Sequence, residues 1–580
     1  MPSETTYQDQ AEPLTEQKHL PFNQKKTSCL DILFVIPRMP DIYGTQLSNG
    51  PLMIATYFES KGYSAKVFDN NSRYKFYSDD ELLDKIADQN PEIIGLSVTM
   101  LSAFNSYRLL RAIKKRFPEK IVIAGGMHTY DAADEVAEQG FDVTFSGEAE
   151  VSLLKFMDLI KRQKGKVCPT SLKNKGFLDD LLKIPGLVLK HNDQLLNTGP
   201  VELLADLDEL PFLNRDLLNL EDFIKTQADH HAFSTTSLNF QRGCPFECTF
   251  CKADFMGGKI RNNSAEYIVN TIKSIYDLYG VKHFHLTDSN FTIDRGRVLE
   301  FCQKMIDSGL SEKVSFWIQT SITTSLRDED LELLNKAGLV TISFGVERFS
   351  PDFRELLVKA GSQKQVFEVL KKIKKHGIKT DINILINHPA ETTRSLEVES
   401  DYLEEALPYV DFYRINYLIP IPGTPIFGIG KNIDRWYLNE AIVNKITSYY
   451  DHAFNITSPG LEFNLFNLTP EVVRANRKFK EKYYIKSLSG LKSSPFLFAS
   501  ALFKLALMMD IMAARVSYLL YKMSPSLENF IFWPLKVLRE SGSKFFIVNW
   551  FHYKDPNNKD SNTKNDTNID LNPYIERHVA

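Results

Sequence analysis

From residue 29 onward, short apolar runs alternate with longer stretches in which apolar side chains recur every three or four positions. The short runs predict buried parallel strands, and the longer stretches predict amphipathic helices packed on them. Strands are expected at 29–36, 64–69, 93–98, 120–124 and 142–145, and helices at 52–61, 81–89, 102–117, 131–139 and 151–163. Such alternation predicts an α/β fold: a doubly wound, Rossmann-like parallel sheet over residues 29–165. Sheets of this kind take ligands beyond the carboxyl ends of their strands. The loops at those ends are Ile36-Pro37-Arg38, Ser97-Val98-Thr99, Gly125-Gly126-Met127-His128 and Ser146-Gly147-Glu148. Glycine there lets the backbone approach a bulky ligand, so Ser97, Gly125, Gly126 and His128 are candidate contacts. His128 reads equally well as a satisfied loop histidine. No G-x-G-x-x-G follows the first strand, so the loops imply a nucleotide-sized ligand without indicating a dinucleotide.

Residues 166–234 read as a connector, with a hairpin over 187–197 turned at His191-Asn192-Asp193. The adjacent His230 and His231 point in different directions and read as loop residues rather than a metal pair. A second series follows over 235–425, with strands at 235–240, 283–287, 315–320, 341–345, 379–386 and 412–418. Helices are expected at 265–279, 295–307, 328–336, 362–375 and 395–406. Six β/α steps predict a partial, TIM-like (β/α)6 barrel with its chemistry at the strand C-termini. Residues 426–553 predict a mostly helical third region, with helices over 436–454 and 470–486. The stretch 495–523 is apolar enough for a membrane span, yet it carries Lys504, Asp510, Arg515 and Lys522. At about 100° per residue the three cations share one side, as on a helix lying on a membrane surface or capping the barrel. The polar segments 1–28 and 554–580 read as a disordered leader and tail.

A chain of 580 residues is too long for one core, so two or three domains are expected. Its net charge of −4 carries no basic excess, which argues against nucleic acid as a partner. Six cysteines without a secretory signal suit a reducing cytoplasm, at the inner face of the membrane if the apolar helix lies on it.

Three of those cysteines stand in one stretch, Gly243-Cys244-Pro245-Phe246-Glu247-Cys248-Thr249-Phe250-Cys251, directly after the first strand of the second series. Thiolates spaced C-x3-C-x2-C suit three irons of a [4Fe–4S] cluster, because soft sulfur ligands hold such clusters. A cubane's fourth iron is then open to a small chelating molecule. Structural zinc would want a fourth Cys or His at finger-like spacing, and none is present.

With Gln241-Arg242 before the glycine and Phe250 before the third cysteine, this stretch resembles the motif of the radical S-adenosylmethionine (SAM) enzymes. The resemblance implies that Cys244, Cys248 and Cys251 hold the cluster and that SAM chelates the open iron. Reductive cleavage of SAM would yield a 5′-deoxyadenosyl radical, fed by an external donor such as flavodoxin or ferredoxin. Asp288 and Asn290 fall where the family contacts the amino group of SAM, and a buried ammonium needs such polar partners. Gln319 ends the third strand, and Gly345 and Glu347 resemble the turn near the ribose. Asn387-His388-Pro389-Ala390-Glu391-Thr392 occupies the place of a Gly-x-Pro-Gly-Glu-Thr turn. Glu391 matches it, but both glycines are replaced, so a different backbone approach to the adenine is expected. Asp288 and Glu347 fit helix capping about as well as they fit SAM binding.

Upstream of this motif, the first domain resembles a cobalamin-binding domain through Gly125-Gly126-Met127-His128 and Ser146-Gly147-Glu148-Ala149-Glu150. The family's Asp-x-His-x-x-Gly motif, source of a lower cobalt ligand in many members, does not occur, so histidine ligation of that kind is not expected. The two resemblances imply a cobalamin-dependent radical SAM enzyme that methylates a carbon of a small or lipid-like substrate. Radical cyclisation, oxidation or carbon–carbon coupling is the alternative. Methylthiotransferases would need three upstream cysteines, and only Cys29 and Cys168 are available. For cobalt and cluster to face one substrate, the strand C-terminal loops of both domains must meet.

Overall fold

A computed structural model describes residues 30–39, 49–71, 77–163, 167–219, 235–252, 259–323, 326–429, 466 and 468–489. The expected leader and tail, His230 and His231, and the helices at 436–454 and 495–523 lie outside the described residues.

The first sheet is built from β1 (Leu30–Ile36), β2 (Ala65–Asp69), β3 (Pro91–Ser97), β4 (Ile121–Gly125) and β5 (Val143–Phe145), parallel in the order β2-β1-β3-β4-β5. Alternation along β1 sends Ile32, Phe34 and Ile36 into one core, and Leu33 and Val35 into another. Helices Asn49–Ser60 and Glu150–Arg162 cover the first face, and Asp79–Gln89 and Ala103–Arg116 the second. The sheet is therefore doubly wound, and its order reverses at β1, which places the ligand crevice beside the ends of β1 and β3.

Two details depart from the sequence pattern. The connector hairpin forms as β6 (Leu187–His191) and β7 (Gln194–Asn197), but β6 pairs antiparallel with β5 and extends the sheet to seven strands. The helix expected at 131–139 is instead two short ones, His128–Asp131 and Ala133–Glu138, because Ala132 leaves helical backbone at φ −128°.

The second sheet contains β8 (Thr235–Leu238), β11 (His283–Leu286), β12 (Ser315–Thr320), β13 (Leu339–Glu347), β14 (Lys379–Ile386) and β15 (Phe412–Tyr417), all parallel and adjacent in chain order. Between β8 and β11 lies a small antiparallel pair, β9 (Gln241–Arg242) with β10 (Arg261–Asn262). β8 and β15 are the edges of this open barrel. The helix Pro470–Ser489 packs beside β15, where the Tyr413 hydroxyl donates to the Tyr483 carbonyl at 2.7 Å. It shields an edge that would otherwise recruit another strand. Among the described residues no helix is long and apolar enough to cross a membrane.

Candidate active site between two domains

The three-cysteine loop leaves the barrel after β8. Gly243 opens it at φ 89°, where a Cβ would collide with the Lys259 carbonyl, so only glycine fits. Cys244 and Cys248 are buried and Cys251 is half-buried. The Cys251 amide donates to the Cys248 carbonyl at 3.0 Å, and the Thr249 amide to the Leu357 carbonyl at 3.1 Å. The Ile426 amide donates to the Thr249 carbonyl, so the loop is pinned from two sides of the barrel mouth. Burial pushes the Cys248 thiol up, against the opposing pull of Lys359. Among the described residues no three His, Cys, Asp or Glu gather as ligands of one ion. Three thiols on one pinned loop are a soft-sulfur donor set, the kind that an iron–sulfur cluster takes.

The barrel residues expected near SAM occupy successive strand ends. Asp288 is fully buried, and its oxygens accept from the Phe240 amide at 2.6 Å and from Arg297 at 3.1 Å. Burial raises its pKa, and Arg297 opposes that rise. The Asn290 amide nitrogen donates to the Gln241 side chain (3.0 Å), while its side-chain oxygen accepts from Thr320 (2.6 Å). Both residues thus brace the strand that leads into the cysteine loop. Gln319 is exposed on β12. Glu347 has φ 63°, is buried, and lies 3.7 Å from Lys359, whose ammonium is 6.0 Å from the Phe250 ring. Burial raises the Glu347 pKa. Glu391 is paired with Arg348, both side chains fully buried, and accepts from Ser395 at 2.6 Å. Where the related turn has glycine, Asn387 adopts φ 72°, a conformation asparagine tolerates better than most residues. Its buried side-chain nitrogen has no partner, a donor available to a polar ligand. The cations Arg297, Arg348 and Lys359 were not singled out from sequence. Their only signal there is proximity to the acidic candidates, and Arg348 directly follows Glu347.

On the other domain, the crevice opens into a mostly apolar cavity of about 360 Å³. Ser97, Gly125, Gly126, Met127 and Tyr130 line it from the first sheet's loops, and Gln241, Arg242 and Tyr267 from the barrel side. A Cβ at Gly125 would meet nothing within 4 Å, so this backbone faces open space. Gly126 sits at φ 110°, and a Cβ there would stand 2.6 Å from the Val98 carbonyl oxygen. This glycine cradle fits a large flat or nucleotide-bearing ligand. His128 does not line the cavity: it is buried with its Nε2 3.4 Å from Glu135, which also accepts from Tyr107 at 2.8 Å. Glu148 and Glu150 line the cavity too, and both pair with Arg242 of the cysteine-loop strand. The carboxyl-end loops of both domains therefore meet.

The class follows from this pairing: a cluster-binding partial barrel set against a cofactor-binding α/β domain. The family model of the radical SAM superfamily matches residues 238–397, and that of the B12 binding domain matches residues 41–156. The chain is 25% identical over 420 residues to an uncharacterized methyltransferase, PH0819, of Pyrococcus horikoshii, covering 70% of this chain and 84% of that one. It is 25% identical to an anaerobic magnesium-protoporphyrin IX monomethyl ester cyclase of Cereibacter sphaeroides, covering 61% of this chain and 55% of the relative. Its fold is similar to that of OxsB, a cobalamin-dependent SAM radical enzyme solved with aqua-cobalamin, at TM-score 0.59 and 16% identity, over 89% of this chain and 76% of that one. The chain therefore joins a B12-binding domain to a radical SAM domain that follows it.

Proposed function

We propose that this enzyme transfers a methyl group to a carbon of a small or lipid-like substrate held between its two domains, residues 29–165 and 235–425. The observation that carries this reading is the meeting of both sets of strand-end loops around one cavity. When bound, the cluster supplies an electron, SAM a carbon-centred radical, and cobalamin a methyl group. Cys244, Cys248 and Cys251 hold the cluster. Asn290, Gln319, Glu347, Glu391 and the free donor of Asn387 face or frame the SAM side, and buried Asp288 stiffens the turn at Phe240 that aims the loop. Ser97, Gly125 and Gly126 supply the backbone approach on the cobalamin side.

The cyclase relative supports a second reading, radical ring closure without methyl transfer. The lipid-like substrate and a seat at the inner face of the cytoplasmic membrane rest on the aromatic and basic composition of residues 426–553. An external flavodoxin or ferredoxin as electron donor belongs to the same proposal. Anaerobic reconstitution with iron and sulfide, with and without methylcobalamin, followed by assay of SAM cleavage, tests it. Release of 5′-deoxyadenosine with cobalamin retained supports methyl transfer. Deoxyadenosine without cobalamin retention removes methyl transfer, and a well-formed cluster that cleaves no SAM removes the radical reaction altogether.

A further inference from the structure

The cysteine loop is gripped at both ends by carboxylates of the other domain. Just before it, Arg242 donates to Glu148 at 2.5 Å and to Glu150 at 2.6 Å, and Arg261 also pairs with Glu148. Just after it, Lys252 lies 3.0 Å from Asp131 and 5.5 Å from the centre of the Tyr130 ring. The loop that follows β15 closes over the same carboxylate, because a Cβ on Gly423 would collide with Asp131. All these charges are at least four-fifths buried, and each cation has a carboxylate. The carboxylates come from the segments that follow Gly125-Gly126 and Ser146-Gly147, so one grip lies in the wall of the cavity and the other stands beside it, next to the wall residue Tyr130. Glu148, Glu150, Arg242 and Tyr130 line it directly.

We propose that these two sets of ion pairs couple occupancy of the interdomain cavity to the placement of the cysteine loop. The inference rests on the cofactor assignment made above. An open cavity of about 360 Å³ admits water, which screens the pairs and frees the wall loops to move. A bound corrinoid expels that water, lowers the local dielectric, and presses Tyr130 and the Glu148–Glu150 segment into place. The ion pairs then strengthen and the loop is fixed at both ends. Arg242 suits this role because its planar fork reaches two carboxylates at once, which a lysine ammonium on one stem does not reproduce. Coupling of this kind is reciprocal: if cobalamin steadies the cluster, the cluster must tighten cobalamin binding by the same factor.

The test uses the full-length, anaerobically reconstituted protein and measures iron release to a chelator with and without hydroxocobalamin. Asp131→Asn and Lys252→Met break the grip whose ion-pair residues stand outside the cavity lining, and Glu148→Gln, nearly isosteric, breaks the other. In the wild type, cobalamin is expected to slow iron release about tenfold, and cluster-free protein to bind cobalamin more weakly, the reciprocity fixing the affinities and not the release rate. In Asp131→Asn and Lys252→Met, cobalamin is still retained on gel filtration, but the protection shrinks below about twofold. Protection of wild-type size in these variants overturns the proposal, as does wild-type iron release that ignores retained cobalamin. Wild type that retains no cobalamin overturns the cofactor assignment and the coupling with it.

Discussion

Arg348 is among the largest fully buried side chains of the described residues, and its removal makes a sharp prediction. It ties the turn at the end of β13 to the turn at 387–392 by its pair with Glu391. A second carboxylate, Glu399, feels the same cation and accepts from the Phe349 amide at 2.8 Å and the Ser350 amide at 3.1 Å. Arg348→Met therefore leaves buried Glu391 without its ion-pair partner and strips Glu399 of one of the cations that act on it, Arg354 remaining. Removing one partner of a buried pair costs about 3–5 kcal/mol, which for a domain near the barrel's size lowers its melting temperature by about 6–20 °C. The loss has a pH signature. Burial already holds the Glu399 pKa above its ordinary value, opposed by Arg348. A carboxyl raised in the folded state binds more protons folded than unfolded, so stability falls as pH rises through and above the usual glutamate range. Without Arg348 that window extends upward, and the deficit is larger at about pH 8 than at about pH 5.5. Melting followed by far-ultraviolet circular dichroism at both pH values measures it. The double variant Arg348→Met, Glu391→Gln recovers part of the loss, because a neutral amide replaces an orphaned charge. A single variant melting within about 3 °C of wild type at both pH values refutes the reasoning.

Other expectations follow from single positions. Gly243→Ala drives a methyl group into the Lys259 carbonyl at positive φ, and reconstituted iron per chain falls well below wild type while the far-ultraviolet spectrum is kept. Gly126→Ala adds roughly 1–3 kcal/mol of local strain beside the Val98 carbonyl. It should weaken cobalamin retention, read by visible absorbance after desalting, with iron content unchanged. Cys251→Ala leaves two thiolates for three irons, and 5′-deoxyadenosine formation is abolished even with excess SAM and strong reductant. If residues 495–523 lie on a membrane, reversing Lys504, Arg515 and Lys522 to Glu weakens binding of the full chain to anionic vesicles at least a hundredfold, at about 1 kcal/mol per cation lost. Equal sedimentation of both proteins with the vesicles defeats that reading.

The barrel was legible almost residue by residue. Helices at 265–279, 295–307 and 328–336 and strands at 315–320 and 379–386 were expected where they are found. Their ends are written locally: Ser264 and Asp294 accept from the amides of the first turns, and Gly280 stops a helix in left-handed backbone. Gly126 and Gly243 stand out in sequence for the same reason, since each answers a backbone need of its own loop. What stayed hidden depends on distant partners. Two-residue strands such as β9 and β10 have no period to detect, and the hairpin at 187–197 carries no mark of the strand it joins.

The cations were hidden most completely. Lys252, Arg297, Arg348 and Lys359 look in sequence like any solvated charge, yet each is buried or largely so against a carboxylate from another element. A buried charge is tolerated only when paired, so every acidic residue drawn into this site required a basic one from elsewhere in the fold. The acidic members stood out because they fall in recognisable turns, and the basic members had to be found by asking what neutralises them. The same question led to the grips on the cysteine loop. Glu148 and Glu150 were visible as part of Ser146-Gly147-Glu148-Ala149-Glu150, and Arg242 as part of Gln241-Arg242-Gly243-Cys244. Only the fold shows that the two motifs, 92 and 94 residues apart by their hydrogen-bonded side chains, are halves of one contact. A substitution in either half is therefore expected to disturb both cofactor sites at once.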